Sequence, residues 1–385
     1  MSHTDRPFTL ADIQTPALVL DRDQMRRNIA LMAQAIGRSG ARLRPHVKTH
    51  KSVDVWHDVC AAGGTGGITV STLAEAEHFF AHGADDILYA VGIVPAKIAR
   101  AARLLKAGAR LTLVVDDADQ ARAIAAAAQA EAVVLPVMIE IDVDGHRAGI
   151  RPDSAALITL ATLIASDPAL HLAGVMTHAG GSYGSSTAAA RLAAAQQEAS
   201  GCVRAASRIR AAGIACETVS IGSTPTALAQ ADLAGVTEVR AGVYTFFDLV
   251  MAGLGVAEPG QIALSVLATV IGHQAEKGVL ITDAGWMALS RDRGTASQAV
   301  DQGYGLVCDV MGSPLGDVIV QECNQEHGII GARAPGARLA LDRFPIGSQL
   351  RILPNHACAT AAQHAHYMVL EQNEVIGQWP RIGGW

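Results

Sequence analysis

The sequence lacks three features that would place the protein on a nucleic acid or in a membrane. It has no run of lysine or arginine, no apolar stretch approaching 18 residues, and no basic start followed by an apolar segment. These absences argue against a nucleic-acid-binding surface, a membrane-spanning helix and a secretory signal, respectively. With a net charge of -6, we expect a cytoplasmic protein that binds neither nucleic acid nor a membrane.

Closely paired cysteines are also missing. The six cysteines occur without Cys-x-x-Cys spacing in a chain of 385 residues, which argues against a disulfide framework. We expect most of them to be buried thiols. Cys358 is the exception, because a histidine stands two residues before it.

Eight short β-rich runs alternate with alanine-rich segments of helical period between about residues 40 and 245. The runs are RLRPHV, GITVST, DILYAVG, RLTLVVD, VLPVMIEID, HLAGVMTH, ETVSIG and TEVRAG. This rhythm predicts an α/β fold with a (β/α)₈ TIM-type barrel, although a doubly wound open sheet gives a similar pattern.

Polar residues stand at or just past the C-terminal ends of six of these runs. They are Lys48, Ser71, Asp142, His178, Ser223 and Arg240. The C-terminal rim of a barrel is where its chemistry is assembled. The placement of these side chains therefore favours the barrel over the open sheet.

From about residue 255 the sequence pattern changes to β-type runs separated by Gly, Pro and Asp turns. The runs include ALSVLATVIGHQ, GVLITDAG, PLGDVIVQE and GSQLRILP. We predict a barrel domain at residues 20–255 and a mostly β domain made of residues 1–19 and 256–385. The opening run PALVLD, which precedes an amphipathic stretch from Asp23 to Arg38, is compatible with either domain.

Three motifs carry candidate chemistry. Lys48 follows the first run, in the segment RPHVKTHKS. A lysine at a barrel mouth could form a Schiff base with an aldehyde. The alternative is that the segment is a basic loop facing water. The segments GSTPT and RAGVY could bind a phosphate dianion through their backbone N–H groups and hydroxyls. The alternative is that they are ordinary turns in which the hydroxyls cap helices. In an extended strand, His356 and Cys358 would lie on one face, where they could form a partial ligand set for zinc. The alternative is that they are an ordinary strand residue and a buried thiol.

The run TPALVLDRDQMRRNIALMAQ, followed by LRPHVKTHKS, resembles the D-threonine aldolase and D-serine dehydratase branch of fold type III pyridoxal 5'-phosphate enzymes, which are alanine racemase-like. Further motifs follow in the family's order: ITVSTLAEAE, SIGSTPTAL, VRAGVYTFFDLVM, DAGWMALSRDRGT and LPNHACAT. The resemblance covers nearly the whole chain. It implies a barrel with a second, mostly β domain, pyridoxal phosphate, a divalent metal and a homodimer.

The resemblance also implies roles for individual residues. The lysine matching Lys48 carries the cofactor, the histidine matching His178 lies against its ring, and Tyr183 could reach the same mouth. The predicted catalytic residues are therefore Lys48, His178 and Tyr183. An arginine at the position of Arg240 faces the pyridine nitrogen in alanine racemase and keeps it unprotonated. The implied cofactor-binding residues are Lys48, His178, Ser223, Thr224, Arg240, Gly242, Val243 and Tyr244.

In dehydratases of this branch, the residues matching His356 and Cys358 bind the metal, whereas D-threonine aldolases have His-x-Asp there. The cysteine therefore favours a dehydratase and a thiophilic metal such as zinc, with manganese, cobalt or magnesium as alternatives. The implied substrate is a β-hydroxy D-amino acid, foremost D-threo-3-hydroxyaspartate, which would give oxaloacetate and ammonia. Lys48 would remove the α-proton, and the metal would activate the β-hydroxyl.

Other activities stay open at this point. The alternatives are a D-threonine or 3-hydroxy-D-aspartate aldolase, a D-serine dehydratase, and a non-enzymatic pyridoxal-phosphate-binding homeostasis protein, which would resemble a lone barrel. For the substrate, Arg147 could hold a carboxylate. Arg291 and Arg293 could bind a β-carboxylate, unless they belong to a solvated loop of alternating charge. No roles are assigned to Asp142, Asp144 and His146.

Overall fold

The structure is a computed structural model that describes residues 9–63 and 67–385. Two compact units make up the chain. The barrel unit contains residues 30–242 and the last two residues, and the β unit contains the N-terminal segment up to Ile29 together with residues 243–383. The predicted domain limits at residues 20 and 255 stay a prediction.

The chain enters through a strand and a long helix. Strand β1 spans Ala17–Asp21 and is almost wholly buried, and helix α1 follows directly at Arg22–Gly37. The amphipathic stretch predicted from Asp23 to Arg38 is this helix. Strand β1 belongs to the sheet of the β unit, which settles the position of the PALVLD run.

Eight parallel strands form the barrel, and every one of the eight predicted runs overlaps one of them. The strands are β2 (Arg42–Pro45), β3 (Ile68–Val70), β4 (Asp86–Gly92), β5 (Arg110–Val115), β6 (Leu135–Ile141), β7 (Leu170–Thr177), β8 (Thr218–Ile221) and β9 (Glu238–Ala241). The helices between them are α2 (Val53–Ala61), α3 (Leu73–Ala81), α4 (Ile98–Lys106), α5 (Ala118–Ala130), α6 (Ala155–Ser166), α7 (Ala188–Ala211) and α8 (Thr224–Ala227).

The strand order closes the sheet on itself. Hydrogen bonding runs β2-β9-β8-β7-β6-β5-β4-β3, and the first and last strands meet in a parallel bridge between His46 and Thr69. The Val47 N–H donates to the Thr69 carbonyl at 2.9 Å across the same seam. The barrel prediction is therefore confirmed, and the doubly wound open sheet is wrong.

Side-chain caps begin most of the barrel helices, which explains where the alanine-rich segments start. The hydroxyls of Thr72 and Ser154 and the carboxylate of Asp117 accept backbone N–H groups at the starts of α3, α6 and α5. Thr187 caps the 24-residue helix α7 in the same way. These hydrogen bonds satisfy N–H groups that the first helical turn leaves without a partner.

Paired charges cross the inside of the barrel. The Arg44 guanidinium on β2 contacts Glu238 on β9 at 2.8 Å and Asp86 on β4 at 2.9 Å. The Ser220 hydroxyl also donates to Glu238, at 2.6 Å. Because β4 and β9 are not neighbours, Arg44 spans the interior, where its charge is tolerated only with such partners.

The β unit is built on one nine-stranded sheet. Its further strands are β10 (Leu264–Gln274), β11 (Val279–Thr282), β12 (Leu306–Cys308), β13 (Pro314–Cys323), β14 (Gly328–Ala332), β15 (Gln349–Leu353), β16 (His366–Glu371) and β17 (Glu374–Pro380). Three short helices accompany them, α9 (Leu249–Gly253), α10 (Trp286–Leu289) and α11 (Ala357–Ala361). The four runs quoted from the sequence are β10, β11, β13 and β15, so the mostly β domain is confirmed.

The sheet order is β11-β14-β13-β12-β15-β10-β1-β16-β17. Its pairings are antiparallel except for β1 with β16, which is parallel. All six cysteines carry free thiols, as expected from the sequence. Within residues 9–63 and 67–385, no helix combines the length and apolar character needed to cross a membrane.

The buried Arg44 charge gives a stability prediction with an internal control. We expect Arg44→Ala to lower the free energy of unfolding by about 3–5 kcal/mol, because it leaves the fully buried Glu238 without its closest cation. Arg42→Ala removes an exposed arginine 4.0 Å from the same carboxylate and should cost less than about 1 kcal/mol. Urea unfolding of both variants measures the difference, and equal losses would contradict the assignment.

Candidate active site

The C-terminal ends of the barrel strands collect the polar residues that the sequence analysis singled out. Lys48, Ser71, Asp142, His178 and Ser223 each lie one to three residues beyond the last residue of a strand. Arg240 lies within β9, one residue before its end. The rim prediction is therefore met by five residues, and Arg240 lies slightly deeper.

Lys48 projects from a turn at residues 47–50 that follows β2. The Lys51 N–H closes the turn on the Val47 carbonyl at 2.7 Å, and the Lys48 side chain is exposed. Gly242 packs against this turn, since a Cβ there would lie 2.7 Å from the Thr49 hydroxyl and 2.9 Å from the His46 carbonyl. A larger residue at Gly242 would displace the turn that carries Lys48.

His46, which the sequence analysis did not select, faces the same group of side chains. Burial lowers the pKa of His46 well below its usual range, and the charges of Lys48 and Arg240 and the neighbouring His178 lower it further. The ring is therefore neutral at physiological pH. The signal in the sequence was its place two residues before Lys48, but only the fold shows which way the ring points.

His178 is held in one orientation by the next loop. Its Nδ1 lies 3.1 Å from the Gly222 carbonyl, so Nδ1 carries the proton and Nε2 is left as an acceptor. Burial lowers the pKa of His178 to about 4; the Gly222 contact opposes this shift, and the charges of Arg147, Lys48 and Arg240 add to it. The Tyr183 ring lies 6.3 Å from the His178 ring, centroid to centroid, which places the two predicted catalytic residues side by side.

The loop after β8 has the small-residue character expected of a phosphate cradle. Gly222 has φ +135°, and a Cβ there would lie 2.1 Å from the Arg240 carbonyl, so the position requires glycine. Ser223 then caps α8 through Thr226 and lies 3.2 Å from the Ser182 hydroxyl. Thr224 is the first residue of α8 and is buried.

The second predicted cradle loop crosses the limit between the two units. Gly242 is the last residue of the barrel segment, whereas Val243 and Tyr244 begin the main segment of the β unit. Both lie in a short 3₁₀ helix, and the Tyr244 side chain is fully buried. Their contact with a phosphate stays a prediction.

Arg240 is fully enclosed among barrel residues. Its two terminal nitrogens donate to the Ser220 hydroxyl and the Thr177 carbonyl. Burial lowers the pKa of Arg240, while the acidic side chains of Glu238 and Glu198 oppose that shift. The cation is therefore fixed in place by its neighbours, and its contact with a pyridine nitrogen stays a prediction.

The loop after β6 brings Arg147 to the mouth. Its guanidinium pairs with the buried Glu140 at 3.1 Å, while the side chain remains half exposed. Asp142 accepts the Gly145 N–H within the loop. Asp144 accepts the Gly181 N–H of the loop after β7 at 2.9 Å, so these two aspartates hold loops rather than face open solvent.

The His-x-Cys pair lies in the β unit, but not in an extended strand as predicted. Strand β15 ends at Leu353; His356 is the extended N-terminal flank of α11, and Cys358 lies in the first turn of that helix. The helix starts here because the Asp248 carboxylate accepts the Ala357 N–H at 3.0 Å. The two side chains still meet, since a hydrogen bond joins His356 to Cys358.

A carboxylate orients the histidine of this pair. The His356 Nδ1 lies 2.9 Å from Asp292 Oδ2, and Asp292 Oδ1 is itself held by the Gly294 N–H at 2.7 Å. Burial lowers the pKa of His356, but the hydrogen bonds with Asp292 and Cys358 outweigh it and raise the pKa to about 11. Asp292 stands 64 residues before His356, so no local sequence pattern links the two.

Arg291 and Arg293 lie on the loop that carries Asp292. The Arg293 guanidinium pairs with Asp301 at 2.7 Å and lies over the Tyr304 ring at 4.9 Å. Arg291 lies over the Trp286 ring at 4.6 Å. Arg293 therefore has an anionic partner within its own unit, and its contact with a substrate stays a prediction.

The residues present suit the two groups that the resemblance implies. At the barrel mouth, an exposed lysine lies beside glycine-lined loops. Across the seam from His46, the buried Thr69 hydroxyl has no hydrogen-bond partner among the residues that the structure describes. His356 and Cys358 offer a nitrogen and a sulfur to a soft divalent metal. In the part of the chain that is described, no group of three or more potential metal ligands occurs, so water or substrate would complete the coordination.

Comparison with known protein families agrees with this architecture. The family model for the alanine racemase N-terminal domain matches residues 20–250, and a model described as a putative serine dehydratase domain matches residues 263–370. The chain belongs to the alanine racemase N-terminal domain family. The first match covers the eight barrel strands, and the second covers most of the β-unit sheet.

Relatives match nearly the whole length of the chain. D-threo-3-hydroxyaspartate dehydratase from Delftia sp. (strain HT23) is 54% identical over 98% of this chain and 99% of its own length. Its solved structure superposes with a TM-score of 0.95, covering 98% of this chain and 100% of that one. A variant of the same protein has been solved in a form described as metal-free. The 3-hydroxy-D-aspartate aldolase of Paracoccus denitrificans (strain Pd 1222) is 30% identical, covering 96% of this chain and 92% of its own.

The neutral state of His178 gives a pH prediction. We expect its ring to titrate near pH 4 and to keep the Nδ1–H tautomer above that, as measured by ¹⁵N NMR with His178→Gln for assignment. Between about pH 4 and 6.5 the unfolded chain binds a proton at this site that the folded chain does not. The His178 contribution to stability therefore falls as the pH drops through that window. A pKa near 6.5 would contradict the buried, hydrogen-bonded geometry.

Proposed function

We propose that this protein is a pyridoxal-phosphate- and divalent-metal-dependent dehydratase that converts D-threo-3-hydroxyaspartate to oxaloacetate and ammonia. The observation that carries the proposal is the exposed lysine at the mouth of an alanine-racemase-like barrel, in a chain 54% identical to a D-threo-3-hydroxyaspartate dehydratase. The β unit with its His-x-Cys pair supports a two-domain enzyme over a lone-barrel homeostasis protein.

Lys48 has the central role in this proposal. Its Nζ would bind the cofactor aldehyde and, once the substrate amine has replaced it, take the proton from the substrate Cα. Bound pyridoxal phosphate supplies an electron sink for the pair left at that carbon. Ser223, Thr224 and Gly242 would hold the phosphate, and His178 would lie against the ring with Nε2 as an acceptor.

The substrate has two carboxylates, and the mouth offers cations to match one of them. Arg147 remains half exposed despite its contact with Glu140, so we assign it to a substrate carboxylate. Lys48 and the enclosed Arg240 add positive charge that favours an anionic ligand. Arg293 is a weaker candidate for the second carboxylate, because Asp301 already pairs with it.

His356 and Cys358 would hold the divalent metal, whose Lewis-acid chemistry assists departure of the β-hydroxyl. We propose zinc, because a thiolate ligand favours a thiophilic ion, with manganese, cobalt or magnesium as alternatives. Asp292 would keep the His356 proton on Nδ1 and leave Nε2 for the metal. Metal binding would displace a proton from the His356 and Cys358 pair.

An aldolase is the second candidate, because the Paracoccus relative carries that activity. It would use the same residues but break the bond between Cα and Cβ, giving glycine and an aldehyde. The thiol at position 358 and the higher identity to the dehydratase favour loss of water. Homodimer formation and a cytoplasmic location also remain predictions from the sequence.

Product analysis distinguishes these activities. We expect the zinc-loaded holoprotein to release ammonia and oxaloacetate in equal amounts from D-threo-3-hydroxyaspartate, with slower or no turnover of D-serine and D-threonine. Lys48→Ala should abolish the reaction, because it removes both the amine and the base. Lys106→Ala, which changes an exposed lysine paired with Glu131, is the control and should keep full activity.

Two results would contradict the dehydratase assignment. Glycine and glyoxylate as the main products would establish an aldolase. Bound cofactor without turnover of any of the three substrates, with or without added metal, would instead support the homeostasis protein.

The metal assignment has its own test. We expect Asp292→Ala to weaken zinc binding about 10–100-fold, because the imidazole loses the group that orients it, whereas Asp292→Asn keeps an acceptor and loses less. A chelator competition assay with metal analysis measures the affinity. Asp317→Ala, an exposed aspartate of the same unit paired with Arg333, is the control. Unchanged zinc affinity in Asp292→Ala would show that the carboxylate does not act on the metal ligand.

A further inference from the structure

We propose that Glu198, on helix α7 behind the barrel strands, is a positioning residue that fixes His178 and the Ser223 loop relative to each other. The inference rests on the proposed function in one respect, since those two elements are assigned there to cofactor binding. Neither the resemblance nor the sequence patterns pointed to this glutamate.

One oxygen of Glu198 accepts two backbone N–H groups. Ala179 N lies 3.0 Å from Oε1, and Gly222 N lies 3.2 Å from the same atom. Ala179 directly follows His178, and Gly222 directly precedes Ser223. A single carboxylate oxygen therefore joins the loop after β7 to the loop after β8 at the residues next to the predicted cofactor contacts.

The second step runs through the peptide bonds of Gly222. Its N–H points to Glu198, while its carbonyl accepts the Nδ1 proton of His178. The relative placement of the two contacts is therefore set by the φ and ψ angles of Gly222. Glu198 thus acts on the His178 ring indirectly. It holds Gly222, whose carbonyl selects the ring tautomer, and it holds the backbone of Ala179, which directly follows His178.

Packing alone does not explain a glutamate at this place. The buried face of α7 is otherwise made mostly of small residues, among them Ala195, Ala199, Cys202 and Ala205. Glu198 is fully buried, and burial raises its pKa, while the Thr226 hydroxyl, the two amides and the charge of Arg240 oppose that rise. A buried carboxylate is costly unless donors satisfy it; Oε1 has two, both from the candidate site, whereas Oε2 has no hydrogen-bond partner among residues 9–63 and 67–385.

The test compares two substitutions of similar size. Glu198→Met removes both acceptor oxygens, whereas Glu198→Gln keeps one acceptor and removes the charge. We expect Glu198→Met to weaken pyridoxal phosphate binding by about tenfold or more, the equivalent of one or two lost hydrogen bonds. Glu198→Gln should stay within about threefold of the wild type. Glu131→Met, a partly exposed glutamate at the end of α5, is the matched control.

The decisive readout is the His178 ring, which a purely structural role would leave unchanged. In cofactor-free protein, ¹⁵N NMR should show one tautomer in the wild type and Glu198→Gln, and a mixture in folded Glu198→Met. The inference is overturned if folded Glu198→Met keeps both the wild-type tautomer and the wild-type cofactor affinity.

Amide exchange in the wild type covers the case in which Glu198→Met does not fold. The Ala179 and Gly222 amides should be protected from exchange even without cofactor, since both donate to a buried carboxylate, and rapid exchange of either would refute the inference. Failure of the proposed function looks different: the wild type would then bind no pyridoxal phosphate, while the tautomer and the amide protection would still report on Glu198.

Discussion

Three contacts of the barrel rim meet at Gly222. Its N–H reaches Glu198, its carbonyl receives the His178 proton, and its Cα lies so close to the Arg240 carbonyl that a Cβ would be 2.1 Å away. The left-handed φ of +135° makes the position specific to glycine. Because neighbouring strands of a closed parallel barrel end side by side, this one residue connects a histidine, the Ser223 loop and a buried arginine.

The electrostatics of the mouth follow from the same closure. Arg44 inside the barrel is paired with Glu238, and the charges of Glu238 and Glu198 favour the charged form of Arg240. Burial and the nearby cations keep His46 and His178 neutral. The result is a rim whose fixed cations attract an anionic ligand while its imidazoles remain available as hydrogen-bond acceptors. Such a rim suits an amino acid with two carboxylates.

Local patterns in the sequence predicted the barrel well because its strands are short, apolar and separated by helical segments. They predicted the rim because residues such as Lys48 and Ser223 follow their strands within three residues. The β unit was harder: β12 has three residues, and β14 contains two glycines and an alanine, so neither has a clear β-type run. Pairings such as Asp292 with His356 join distant parts of the chain, which a local pattern cannot reveal.

The His-x-Cys prediction shows how a correct pair can come with the wrong local structure. Period-two spacing suggested a strand, but Asp248, more than 100 residues earlier, caps the backbone after His356 and starts a helix there. Glu198 was missed altogether. No local pattern distinguishes it from the other polar residues of this alanine-rich helix, because its contacts depend on the positions of two loops.

The central claim is that the cofactor is carried by the lysine at the barrel mouth. The chain has five lysines, Lys48, Lys51, Lys97, Lys106 and Lys277, so the claim can be tested without any assay of turnover. Borohydride reduction of the pyridoxal-phosphate-loaded protein, followed by peptide mass spectrometry, should find the pyridoxyl group on Lys48 alone. Modification of another lysine, or none, would contradict the account.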